Sequence, residues 1–193
     1  MCNRASVDGI THFGCVGSYT IDGVFTGIAY KGIVKKLIYN FKYKPYLSDL
    51  KSLLVELLFE GIIQNEAFSK IYQDNRHSLL LAPIPLHPSR LRTRGYNQSE
   101  VLAKGLAEKL NLPLVSLLER IKKTVSQVGL ERKKRLENIS GAFSITSDIL
   151  ISQYSNIFLV DDVLTTGATL LEAANVLKRN GIKKVWGIVL ARD

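Results

Sequence analysis

The stretch that decides the fold is Ile157-Phe158-Leu159-Val160-Asp161-Asp162-Val163-Leu164-Thr165-Thr166-Gly167-Ala168-Thr169. An apolar run meets two carboxylates, then hydroxyl-bearing and small residues. Residues 170–179 follow with helical spacing, then Gly181 and a second apolar run at 185–190. Strand, helix, strand in that order is a βαβ unit. Parallel strands need such a crossover, and strands apolar at every position are expected where helices cover both faces of the sheet. The fold class is therefore α/β, a parallel sheet flanked by helices.

In open α/β sheets ligands bind beyond the carboxyl ends of the strands, often against the start of the next helix. That places the chemistry at residues 161–169. The amides of a helix start carry partial positive charge and suit a phosphate, whereas Asp161 and Asp162 suit hydroxyl donors or a cation such as Mg2+. A ribose 5-phosphate satisfies both, with its phosphate on Thr165, Thr166, Gly167, Ala168 and Thr169 and its 2- and 3-hydroxyls on the two acids. Pattern alone leaves a plain alternative open, an acidic strand end before an N-capped helix with no ligand.

Working outward, residues 78–84 form an apolar run closed by Pro83, Pro85 and Pro88, which reads as a central strand entering a rigid loop. The prolines fix that loop, and Arg90, Arg92 and Arg94 then present planar forks suited to phosphate oxygens, or else a solvated basic surface. His87, a lone imidazole among prolines, receives no proton-transfer role. Asn97 or Ser99 caps the next helix, in which Leu102, Leu106 and Leu110 recur until Asn111 and Pro113 close it, and a strand over 114–118 should follow. Residues 119–141 are basic and lack clean periodicity, which suggests a mobile loop with a helical turn or two near 131–137. Arg120, Lys122, Lys123, Arg132, Lys133, Lys134 and Arg135 in it suit a lid over a departing diphosphate, a nucleic-acid patch or a solvated face. The lid is preferred, because no aromatic residues interleave the charges to make a stacking platform.

Nearer the N-terminus, Ile33, Val34, Leu37, Ile38 and Phe41 share a helical face that Pro45 ends. Ser48 caps a second helix with the stripe Leu50, Leu53, Leu54, Leu57 and Leu58. Residues 19–30 mix Gly with Ile, Val, Phe and Tyr and suit a short hairpin or irregular lobe. The chain then divides into a small N-terminal piece, 1–30, and one main domain, 31–193.

The 193 residues allow one compact domain plus an appendage, and 46% hydrophobic with 22% charged residues is an ordinary globular composition. The 26 basic against 17 acidic residues, net +9, favour partners bearing phosphate or carboxylate. No apolar stretch reaches the roughly 18–20 residues of a membrane span, and the first residues lack a secretory pattern. A soluble, cytoplasmic protein with no membrane partner is expected. Cys2 and Cys15 are too few for a disulfide framework. The P-loop, Gly-x-Gly-x-x-Gly, Gly-x-Ser-x-Gly and His-Glu-x-x-His patterns are all missing, which removes the main support for NTPase, dinucleotide, hydrolase and zincin readings.

The segment from Leu159 through Asp161, Asp162, Thr165, Thr166 and Gly167 to Thr169 resembles the phosphoribosyl diphosphate (PRPP) motif of type I phosphoribosyltransferases. More narrowly, Pro83-Ile84-Pro85-Leu86, Arg94-Gly95-Tyr96-Asn97-Gln98, Thr124 with Gln127, and Arg135 with Asn138 before Gly141-Ala142-Phe143 resemble the competence protein F (ComF/ComFC) family, in the expected order. The resemblance implies a small N-terminal hood and a flexible loop over the site. It also implies ribose binding by Asp161 and Asp162, 5-phosphate binding by residues 165–169, and diphosphate binding by backbone near Leu86 and His87 with charge from Arg90 and Arg94. Asp161, Asp162 and Arg94 are the candidate catalytic residues. The implied activity is Mg2+-assisted phosphoribosyl transfer from PRPP to an acceptor that no pattern names. The alternatives are a non-catalytic PRPP or nucleotide sensor, or an accessory of competence and DNA uptake acting through its basic surface on DNA or the competence machinery. Cys2, His12 and Cys15 resemble the end of a Cys-rich zinc finger, but three ligands do not close a structural zinc site. Either an upstream half exists or the finger has decayed, zinc is not expected in this chain, and no residue is assigned as a resident metal ligand. No pattern assigns an oligomeric state.

Overall fold

A computed structural model describes residues 8–17, 19–43, 48–124, 132–146 and 154–193. In chain order its first elements are β1 (Gly23–Ala29), α1 (Ile33–Tyr43), α2 (Ser48–Ile63), α3 (Glu66–Asn75), β2 (Leu79–Pro83) and α4 (Pro88–Arg94). Then come α5 (Gln98–Leu110), β3 (Leu118–Arg120), α6 (Arg132–Ile139), β4 (Phe143–Ile145), β5 (Asn156–Leu164), α7 (Ala168–Arg179) and β6 (Lys184–Arg192). The main sheet runs β1-β6-β5-β2 with every pairing parallel, and β3 with β4 makes a separate antiparallel ribbon. This is the α/β architecture expected of a type I phosphoribosyltransferase-like chain.

Both faces of the sheet are covered, which is why its strands are apolar throughout. Phe158 and Val160 of β5 pack into a core with residues of α1, α2, α3 and α5, such as Phe41, Leu54, Phe68 and Leu102. Ile157 and Leu159 point the other way, into a second core built on Leu170, Ala173, Ala174 and Leu177 of α7 and on the ribbon. The leucines at 102, 106 and 110 are buried as their spacing predicts, and Asn97 caps α5 by accepting from Ser99 N–H at 3.1 Å. Of the expected α1 face only Ile38 and Phe41 are buried and Ile33 is exposed; on α2 the buried positions include Leu54, Val55 and Leu58, while Leu53 is exposed.

Four expectations need correction. Residues 19–30 are not a hairpin: β1 is the edge strand of the main sheet, paired with β6 from Gly23 opposite Trp186 to Ala29 opposite Arg192. Only the isolated antiparallel bridge between Ile10 and Gly23 remains of a hairpin, because pairing with β6 closes an edge that would otherwise stay open. The sheet therefore begins before residue 31. β2 is not central but the opposite outer strand, and of the strand expected at 114–118 there is one bridge at Leu114 along that free edge, while Leu118 opens β3 in the separate ribbon. At the bridge Leu81 N–H donates to Pro113 O and Val115 N–H to Leu81 O, both at 2.9 Å, and Pro113 has no N–H to extend the ladder. Finally, the loop expected over 119–141 is ordered at both ends, by β3 and by α6, the latter matching the helical turns expected near 131–137; residues 125–131 lie outside the described ones. Pro45 and Gln127 also fall outside them. Among the described residues no helix is long and apolar enough to cross a membrane.

Candidate active site

β5 extends past its apolar run through Asp161 and Asp162 to Leu164, so the two acids sit at the carboxyl end of an interior strand. The chain then turns and α7 starts at Ala168. Gly167, the residue before it, has φ of +75°, a left-handed conformation that a side chain disfavours, which explains the glycine. The resulting corner is an open concavity of about 250 Å³, counting the solvent space in its mouth, lined by Asp161, Thr165, Thr166, Gly167, Ala168 and Thr169 among others. The first-turn N–H groups of α7 have no acceptor four residues back within the helix, and Ala168 N–H makes only a long 3.5 Å contact with Thr166 Oγ1. A corner lined by small residues at the start of a helix is of the kind that takes a phosphate.

The two acids are held differently. Asp161 Oδ1 accepts from the Ser99 hydroxyl and from the Asp162 backbone N–H, both at 2.9 Å. Asp162 Oδ2 pairs with Lys42 Nζ at 3.0 Å. Burial, and then the adjacent Asp162 carboxylate, push Asp161 up to about 6 against the opposing pull of its two hydrogen bonds and Lys42. Two carboxylates sharing one lysine are under-neutralised. They can accept from vicinal hydroxyls, and as hard oxygen donors they also fit Mg2+.

Three arginines lie close to one another, and one of them, Arg120, feels the charge of Asp161. Arg90 on α4 donates from Nη2 to Thr124 O at 2.9 Å, and Arg94 donates from Nη1 to Gln98 Oε1 at 3.0 Å while its guanidinium sits 5.4 Å from the centroid of the Tyr43 ring. Arg120, expected on a lid, is instead 7% exposed on the ribbon; it donates to Thr124 Oγ1, and its Nε has no partner among the described residues. Burial, then repulsion from Arg90 and, less, from Arg94, lower Arg120 to about 10, with Asp161 opposing; burial and Arg94 lower Arg90 too. Three cations so crowded favour a polyanion. Leu86 and His87 form the loop between β2 and α4. The His87 ring caps that helix, Nδ1 accepting from Ser89 N–H at 3.2 Å and lying 2.8 Å from Ser89 Oγ. Arg92 is exposed.

The structure thus joins Asp161 and the 165–169 turn in one corner, with Asp162 next to it in β5 and held by Lys42, and sets Arg90 and Arg94 in a cation cluster with Arg120. Sequence reasoning missed Lys42 and Ser99, which only tertiary contact brings to the acids. Gln98 and Tyr96 were visible within Arg94-Gly95-Tyr96-Asn97-Gln98, at the start of a capped helix. His12 precedes and Cys15 ends a short 3-10 turn, Cys2 lies outside the described residues, and among those described no group of three or more His, Cys, Asp or Glu could hold a metal.

Residues 97–193 match the family described as phosphoribosyl transferase domain. The chain is 39% identical over 114 residues to "Competence protein F" of Haemophilus influenzae, covering 58% of this chain and 50% of that protein. It is 30% identical over 153 residues to "DNA utilization protein YhgH" of Salmonella typhimurium, covering 78% and 64%, and 28% identical over 152 residues to "Competence protein ComFC" of Bacillus subtilis, covering 79% and 56%. The chain spans between half and two thirds of the length of these relatives.

Proposed function

Because this chain belongs to the phosphoribosyl transferase domain family, in its competence protein F/ComFC group, we propose that it binds PRPP with Mg2+ and transfers the phosphoribosyl group to an acceptor, releasing diphosphate. The observation that carries this is the open corner of β5 and α7, with under-neutralised acids on one side and the glycine-started cradle beneath. The 5-phosphate rests on residues 165–169, Asp161 and Asp162 accept from the ribose hydroxyls, and Arg90, Arg94 and Arg120 receive the diphosphate. As diphosphate leaves C1, negative charge grows on it and positive charge on the sugar. The arginines stabilise the first and the two carboxylates the second, both already in place before reaction. Mg2+, held by the carboxylate oxygens of Asp161 and Asp162 together with the substrate, would supply further charge neutralisation of the diphosphate.

The test is isothermal titration of the folded protein with PRPP and Mg2+. Saturable heat that Asp161→Asn abolishes is expected, and heat indistinguishable from dilution would overturn the reading. A sensor would bind without turnover, so diphosphate release with the right acceptor separates enzyme from sensor. The names of the relatives, competence protein F and DNA utilization protein YhgH, and the net charge of +9 support a second role in DNA handling. That role predicts salt-sensitive DNA binding that weakens when the exposed Lys122, Lys123 and Lys134 are neutralised.

A further inference from the structure

We infer that Gln98 is a positioning and ligand-binding residue of the diphosphate end of the site: its side-chain oxygen orients Arg94, while its side-chain nitrogen and the Tyr96 hydroxyl stand as donors for an anionic oxygen. The inference rests on the PRPP reading above and deepens it.

Gln98 is the first residue of α5 and is 1% exposed. A primary amide carries one acceptor oxygen and two N–H donors, and burying the donors unpaired is costly. Here the oxygen accepts from Arg94 at 3.0 Å, and the nitrogen has no partner among the described residues. That bond fixes which way the amide lies. A flipped amide would set N–H against the guanidinium, donor against donor. The nitrogen shares its carbon with the bonded oxygen, so its buried N–H groups lie beside Arg94.

Tyr96 repeats the pattern. Its hydroxyl is buried and lies beside the Gln98 amide without reaching hydrogen-bond geometry. The ring cannot swing to find another partner: it packs edge-on to Phe41 at 5.9 Å, and Lys51 sits 5.1 Å from its centroid. Neighbouring carboxylates are already engaged, Asp161 with Ser99 and Asp162 with Lys42. What is missing is an acceptor, and the charge of Arg94 and Arg120 nearby makes it an anionic one. In PRPP the group that meets this description is the diphosphate, since the cradle at 165–169 takes the 5-phosphate. Gln98 and Tyr96 therefore read the leaving group, and they discriminate diphosphate from a sugar monophosphate.

Calorimetric titration with inorganic diphosphate and, separately, ribose 5-phosphate, each with Mg2+, tests this on the wild type, Gln98→Met and Tyr96→Phe. Gln98→Met should weaken diphosphate by about tenfold to a hundredfold, the loss of a charge-assisted hydrogen bond, and leave ribose 5-phosphate within about twofold. Tyr96→Phe should weaken diphosphate several-fold without lowering the melting temperature. Equal weakening of both ligands would reduce Gln98 to a structural role and overturn the inference. Should Gln98→Met fail to fold, Tyr96→Phe decides alone, and unchanged diphosphate affinity there overturns it. A wild type that binds ribose 5-phosphate but not diphosphate sinks this inference and leaves the pocket reading standing, whereas one that binds neither sinks both.

Discussion

Asp161→Asn should cost the protein its ligand and make the empty protein more stable, at neutral pH only. The folded state holds the Asp161 proton with a pKa of about 6 against an ordinary value of 3.8. Between those values the folded chain binds a proton that the unfolded chain has lost, so stability falls as pH rises through that window. The full difference of about 2.2 units is worth roughly 3 kcal/mol above pH 6 and nothing below pH 4. Because Asp161 keeps some access to solvent, about 1–3 kcal/mol is the realistic range. Asparagine is nearly the same shape, and its Oδ1 can still accept from Ser99 and from the residue 162 amide. The substitution therefore removes the charge and little else. For a chain of this length about 2 kcal/mol moves Tm by roughly 4–8 °C. Thermal melts by circular dichroism between pH 4.5 and 8, free of Mg2+ and phosphate, read the effect directly. A variant less stable than wild type at pH 8, or stabilised equally at pH 4.5 and 8, would show that Asp161 is not a strained carboxylate.

Other perturbations test other parts. Lys42→Met removes the cation paired with Asp162 at 3.0 Å, one of the terms restraining Asp161, so carboxyl NMR titration should find Asp161 raised further; no movement would mean that Lys42 does not act on the acids. Gly167→Ala places a side chain at φ of +75° and should cost about 1 kcal/mol together with ribose 5-phosphate affinity, read by denaturant melts and calorimetry. Gly61→Ala should destabilise far more, by about 3 kcal/mol or above, because a Cβ there would lie 2.1 Å from Gly27 O, backbone that cannot move aside between α2 and β1; an urea midpoint near wild type would contradict that packing.

The parts of the fold legible in the sequence are those where one local signal suffices. The β5-α7-β6 unit follows from an apolar run, a turn and helical spacing, and α5 follows from Asn97, its leucines and Asn111. What failed needed partners remote in the chain. Nothing in residues 23–29 says that they will pair with β6, because a single edge strand and half a hairpin have the same composition. β2 looked central because burial on both faces reads the same whether a strand or a covering segment lies at its edge, and here residues 113–115 supply the cover. In the site, the acids and the turn are contiguous and could be read at once. Lys42 and Ser99 reach the acids from 120 and 62 residues away in sequence, respectively. Arg120 looked like one charge among seven in a basic stretch, and its burial against Thr124 separates it from the exposed Lys122, Lys123 and Lys134.

Of the four buried side-chain polar atoms without a partner among the described residues, three belong to Tyr96, Gln98 and Arg120 and the fourth to Trp186, and that distribution argues against a purely structural role. A salt bridge placed for stability pairs opposite charges, as Asp22 does with the nearly buried Lys178 at 2.7 Å. Around the candidate site like also stands beside like: burial and then the neighbouring Asp162 disfavour the charged form of Asp161, although Lys42 pairs with Asp162, and burial and then Arg90 disfavour that of Arg120. Gln98 and Tyr96 add donors with nothing described to accept from them. A basic surface for nucleic acid needs cations in solvent, where they can release counterions; it gives no reason to bury Arg120. A neutral small molecule would relieve the acids through its hydroxyls and leave the arginines crowded, and a bare phosphate would do the reverse. Relief of both sides at once requires vicinal hydroxyls and a polyanion joined at a short, fixed distance, and a phosphorylated ribose carrying diphosphate at C1 meets that requirement with its third group, the 5-phosphate, placed for the cradle.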